Sequence, residues 1–138
     1  MYAEIQSLLQ KRAELLCKGQ FDEVAKNYHL PFVAYHDGFP VYVRKHSEVI
    51  DALARIAALL TSRGVVRLDV DVISMDLPKN KRFRVSGRYS QIDRRGDVVS
   101  QSDMVLYFVE SPKGPIIEMV ESHDCPMATV WEPESAFA

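Results

Sequence analysis

Four side chains in this sequence join acid–base or charge-holding chemistry to a place among apolar neighbours: Arg12, His36, Glu121 and His123. Arg12 interrupts an apolar stripe of Ile5, Leu8, Leu9, Leu15 and Leu16 that has the spacing of one helical face. A guanidinium there is a fixed cation that could orient a carboxylate, phenolate or enolate oxygen in an apolar setting. A stem packed on the core, with its head reaching solvent at the helix edge, explains the same position equally well. His36 lies in the run FVAYHDGFPVYV, Phe32 to Val43, where alternation places it on one face with Ala34, Phe39, Val41 and Val43. An imidazole titrates near neutral pH and suits a general acid or base, although a histidine on an apolar face also serves as a satisfied structural residue. Asp37 adjoins it, but Asp-Gly between two alternating runs is a hairpin signal, so the turn is the better explanation of the aspartate. Glu121 and His123 alternate on one strand face, and either could complete an acid–base pair with His36. No tight H-x-H or H-x-x-x-H pairing accompanies them, so no metal is expected, and no cofactor.

Other chemistries have no foothold. Nucleophile triads, phosphate-cradling glycine loops and dinucleotide fingerprints are absent from the sequence. A net charge of −2 argues against nucleic acid as the main partner, and the basic groups KNKR and RR fall where turns are expected. Two distant cysteines, Cys17 and Cys125, do not make a disulfide scaffold. The start MYAEIQSLLQKR puts acidic and polar residues where a signal peptide needs an apolar stretch, and no apolar run reaches transmembrane length. A soluble cytoplasmic protein with no membrane partner is expected.

These side chains need elements to position them. At 138 residues the chain has room for one domain, with a core of about residues 3–124 and a tail of 125–138. The first helix carries the Arg12 stripe and closes at Gly19. FDEVAKNYHLP fits a short second helix that turns Phe21, Val24, Ala25 and Tyr28 inward and stops at Pro31. The hairpin follows, with His36 opposite Phe39 and Ala34 opposite Val41, while Val33, Tyr35, Tyr42 and Arg44 face away. A third helix runs from an N-cap at Ser47 to a C-cap at Gly64. Beyond it the period becomes two. Long antiparallel strands follow, separated by PKNK, RRGD and SPKG. Helices followed by a meander make an α+β plan, one curved sheet wrapped around a long helix.

The segments LLCKGQFDEVAKNYHLPFVAYHDG and KHSEVIDAL, followed by these strands, resemble the nuclear transport factor 2-like superfamily. Its members are cone-shaped α+β barrels that include ketosteroid isomerase and polyketide cyclases. Gly19 and Tyr28 hold the family's separation, and KHSEVI stands where the family usually has G-R-E-x-I. The resemblance implies a mostly apolar pocket between the concave sheet and the first and third helices. It aligns His36 with the isomerase base, Arg12 with a tyrosine donor and Met104 with an acidic donor. This sequence departs from the isomerase pattern at each of these positions, so ketosteroid isomerisation itself is not expected. In the family register Arg12, His36, Glu121 and His123 face the cavity with Phe83, Val85, Tyr89, Met104, Phe108 and Met119, and Glu121 is the expected partner of Arg12. The implied function is a small-molecule pocket protein. It would be a cofactor-free isomerase, dehydratase or cyclase acting on a small hydrophobic, oxygen-bearing molecule, or a non-catalytic binding or association module. A homodimer through the outer sheet face is expected.

Overall fold

The apolar stripe of the N-terminal segment folds as α1 (Tyr2–Cys17) and buries Ile5, Leu9, Arg12, Ala13 and Leu16. The helix ends in a Schellman motif: Gln20 N–H donates to the Leu15 carbonyl at 3.0 Å and Gly19 N–H to that of Leu16 at 3.1 Å. This geometry sets Gly19 at φ +77°, a conformation that glycine adopts without a Cβ clash. The structure is a computed structural model that describes residues 2–122.

After α1 come α2 (Phe21–Ala25), β1 (Tyr28–His36), β2 (Phe39–Val43), α3 (His46–Ser62), β3 (Val65–Met75), β4 (Arg82–Asp93), β5 (Val98–Ser111) and β6 (Gly114–Ser122). Two boundaries differ from the sequence expectation. The second helix stops at Ala25, and Tyr28 already opens the strand, because Ile117 N–H claims the Asn27 carbonyl and draws that segment onto β6. The third helix is capped at Lys45 rather than Ser47: the Glu48 carboxylate reaches back to accept the backbone N–H groups of Arg44 and Lys45, at 3.2 and 3.0 Å.

The strands form one six-stranded sheet in the order β2-β1-β6-β5-β4-β3. Every neighbouring pair is antiparallel except β1 with β6, which run parallel. The hairpin register is the expected one, with Ala34 opposite Val41 and His36 opposite Phe39. Phe39 itself is exposed at the tip. Ala34 and His36 of β1 border the same cavity as Leu68 of β3, although β6, β5 and β4 lie between those strands, so the sheet curls around the helices without closing. Its edges are β2 and β3. The core lies in the concavity, where Phe32, Val85, Phe108 and Ile117 are fully buried under Ile5, Leu9 and Val49 of the helices.

The edge at β3 is covered by helix side chains. The amide of Gln10 donates to the Leu68 carbonyl and accepts from Val70 N–H, at 3.1 and 2.9 Å. One turn earlier Gln6 does the same for the Val70 carbonyl and Val72 N–H, at 2.6 and 2.8 Å. The Tyr2 hydroxyl donates to the Val72 carbonyl at 2.6 Å. Glutamines at i and i+4 thus continue the ladder where a further strand would pair.

Candidate functional site

The concave side leaves a cavity of about 110 Å³ between α1, α3 and the sheet. Apolar side chains dominate it: Leu9, Ala13 and Leu16 of α1, Leu53, Ile56 and Leu60 of α3, and Leu68, Leu106 and Val120 of the sheet. Its polar members are Arg12, Tyr28, His36, Tyr89, Gln91, Ser102 and Ser122, with Tyr35, which the alternation of β1 assigns to the outer face, also at its border. Drug-sized ligands occupy pockets of about 300–1,000 Å³, and an apolar cavity of about 150 Å³ takes benzene. A multi-ring ligand is therefore excluded from this shape.

Arg12 is 7% exposed. Its guanidinium carbon stands 4.9 Å from the centre of the Tyr28 ring, a cation–π contact. Its Nε is buried and has no hydrogen-bond partner among the described residues. Tyr89 lines the same cavity. Burial pushes its phenol up to about 12, with the Arg12 guanidinium pulling the other way and Tyr28 adding to the rise. At neutral pH the phenol is therefore an O–H donor. Because the folded pKa lies above the ordinary 10.0, the neutral phenol's contribution to stability is whole below that pH and is lost as pH rises through about 12. Across that window the native state should lose about 1.4 kcal/mol per pH unit from this group alone. Urea unfolding at about pH 9 and about pH 11 should show this loss in the wild type and a shallower fall in Tyr89→Phe.

His36 is aimed by the hairpin that ends β1. Asp37 and Gly38 take φ +46° and +87°, the left-handed pair that a two-residue turn requires. Asp37 N–H also ties the turn to β6 through the Ser122 carbonyl, at 3.3 Å. In this geometry the Asp37 carboxylate lies 3.2 Å from His36 Nε2. Asp37 is thus both the turn residue and the partner of the imidazole. A carboxylate at that distance favours a proton on Nε2, which leaves Nδ1 with its lone pair. Nδ1 is buried and has no hydrogen-bond partner among the described residues. A nitrogen base held this way, in one cavity wall with a fixed cation, can accept a proton from a bound molecule while the cation holds a negative oxygen.

Arg12, His36, Tyr89 and Met104 border the cavity together. Phe83, Val85 and Phe108 do not: they pack into the core, with the Phe83 and Phe108 rings stacked at 5.2 Å. Glu121 and Met119 lie on the other side of the sheet. Across from β6, Phe108 pairs with Ile117 but its neighbour Tyr107 pairs with Met119, so Glu118 is an extra residue, a β-bulge. One inserted residue reverses every later side chain, so Val120 and Ser122 point inward and Glu121 outward. There Glu121 accepts a hydrogen bond from the Tyr107 hydroxyl at 3.3 Å. Burial, and then the Glu121 carboxylate, raise the Tyr107 phenol. The expected Arg12–Glu121 pair therefore does not form. His123 lies outside the described residues. Asp37, Tyr28 and Gln91 are site members that the sequence reading did not assign. The adjacency of Asp37 to His36 and the inward place of Tyr28 were the signals for two of them. Among the described residues no group of three His, Cys, Asp or Glu could hold a metal ion, and no helix is long and apolar enough to cross a membrane.

The architecture is that of the nuclear transport factor 2-like fold, a cone of helices and curved sheet built around a pocket. An NTF-2 like protein of unknown function from Shewanella oneidensis MR-1 is similar over 88% of this chain and 98% of its own, at 18% identity and a TM-score of 0.65. An NTF2-like protein with a cystatin-like fold from Novosphingobium aromaticivorans is similar over 95% of this chain and 88% of its own, at 12% identity and a TM-score of 0.65. The beta subunit of benzoate 1,2-dioxygenase from Burkholderia mallei is similar over 89% of each chain, at 18% identity and a TM-score of 0.61. Identities this low establish the fold alone. No family model and no curated protein matches the sequence.

Proposed function

We propose that the cavity binds a small, partly apolar, oxygen-bearing molecule and that His36 moves a proton on it without a cofactor. The observation that carries this reading is a pair of buried nitrogens, Arg12 Nε and His36 Nδ1, in the wall of one cavity and without hydrogen-bond partners among the described residues. A buried donor or acceptor left without a partner costs about 1–3 kcal/mol, and a bound oxygen-bearing ligand offsets that cost. The reaction class is enolisation. Nδ1 takes a proton from carbon beside a carbonyl, the C–H electron pair forms the C=C bond as the carbonyl π pair moves onto oxygen, and cationic and O–H donors hold the resulting charge. In a conjugated enolate, returning the proton to the far carbon completes an isomerisation; a β-hydroxyl instead takes the proton from the His36 imidazolium and leaves as water, which is a dehydration. Asp37 keeps the imidazole in the useful tautomer.

A second reading has its own support. A cavity of about 110 Å³ is small beside drug-sized ligand pockets of about 300–1,000 Å³. A putative calcium/calmodulin dependent protein kinase II association domain from Xanthomonas campestris shares the fold at a TM-score of 0.62 and 12% identity. On this reading the chain binds a ligand, or a second copy of itself through the outer sheet face, without chemistry. Proton exchange separates the two. Small carbonyl compounds that produce NMR shifts at cavity residues should also exchange their α-hydrogens for deuterium in D₂O. His36→Gln should abolish that exchange while leaving the shifts in place. Binding without exchange in the wild type would select the second reading.

A further inference from the structure

We infer that the ligand is a short-chain oxo-carboxylate, its carboxylate on Arg12 and its ketone oxygen on the Tyr89 hydroxyl, with His36 Nδ1 beside the carbon between base and ketone. This rests on the ligand-pocket reading above and names the class of molecule it takes.

Charge is the first argument. Arg12 is 7% exposed and stands over the face of the Tyr28 ring, close enough to Tyr89 to act on its phenol. No carboxylate of the described residues pairs with it, because the bulge at Glu118 turns Glu121 to the opposite side of the sheet. A buried guanidinium calls for an anion, and its planar fork matches a carboxylate. Chemistry is the second. Tyr89 borders the same cavity and keeps its proton, since burial pushes it up to about 12. A neutral phenol donates to a carbonyl oxygen and to the enolate oxygen that replaces it, whereas a second cation would be needed only for a second anionic group. The ligand is therefore a monoanion with a neutral carbonyl. Size is the third. Scaled from a cavity of about 150 Å³ that takes the carbons of benzene, the space here holds about four to five non-hydrogen atoms. That limits the ligand to the shortest oxo acids, three carbons or at most four, with the alkyl end against Leu53, Leu60 and Leu106.

Isothermal titration of the wild-type chain with 2-oxobutanoate and with 2,3-pentanedione, its neutral counterpart of nearly equal shape, tests the inference. The carboxylate should bind about 10- to 100-fold more tightly, the worth of hydrogen bonds to a charged group. Arg12→Met should erase the difference. Tyr89→Phe should weaken 2-oxobutanoate about 2- to 10-fold and leave butanoate, which lacks the ketone, unchanged. Equal or tighter binding of the dione by the wild type would overturn the oxo-carboxylate assignment and leave the pocket reading standing. Failure of every one of these compounds to bind would overturn both.

Discussion

Replacing Arg12 with methionine is expected to make the protein more stable, by about 1–3 kcal/mol, and to raise its Tm by about 3–10 °C. Most changes of a buried residue do the reverse. Here the wild-type side chain carries a charge that is 7% exposed and has no ion-pair partner among the described residues. Among the described residues the Tyr28 ring offsets part of its desolvation, a contact worth about 1–2 kcal/mol when dry. Methionine fills a comparable volume without the charge and is flexible enough to pack against Leu9 and Leu53. A site kept at the expense of stability is what a binding role produces. Differential scanning calorimetry checks the prediction. A fall in Tm on Arg12→Met would show that the guanidinium is satisfied in the apo protein, and would remove the main reason for assigning an anion to the cavity.

The opposite sign is expected at the sheet edge. Changing Gln6 and Gln10 together to alanine should cost about 2–6 kcal/mol, since four amide hydrogen bonds at about 0.5–1.5 kcal/mol each are lost from the backbone of β3. The exposed groups of Leu68, Val70 and Val72 would then be open to pairing with another chain, so the double variant should also self-associate at high concentration. Urea denaturation and sedimentation velocity measure the two effects. A loss below about 0.5 kcal/mol would mean that water replaces the glutamines at this edge without penalty.

Much of the frame was legible in the sequence, because the signals involved are local. The stripe on α1, the Gly19 stop and the Asp37-Gly38 hairpin register each depend on residues within a few positions of one another. Their convergence on one fold also placed Arg12 and His36 at the cavity. What failed was long-range. Nothing in PIIEMVESHD marks Glu118 as a bulge, since the insertion is defined by pairing with β5 and β1. Counting by twos through it put Met119 and Glu121 on the wrong face and gave Arg12 a partner it does not have. Phe83, Val85 and Phe108 were placed on the correct side of the sheet, but periodicity cannot say how far helix packing fills the concavity. Tyr89 was read as a wall residue. Its role as a donor depends on burial and on its closeness to Arg12, neither of which is local. Asp37 was assigned to the turn, although the left-handed backbone of that turn is what brings its carboxylate back to His36.

Proton transfer by His36 is tested most directly by its tautomer, read from the nitrogen shifts of the ¹⁵N-histidine-labelled protein at about pH 8, where a free imidazole is neutral. The expected result is a protonated Nε2 facing Asp37 and an unprotonated Nδ1 whose resonance moves when a small oxo acid is added. A proton on Nδ1, unaffected by any such ligand, would leave the cavity without a base and contradict the proposed chemistry.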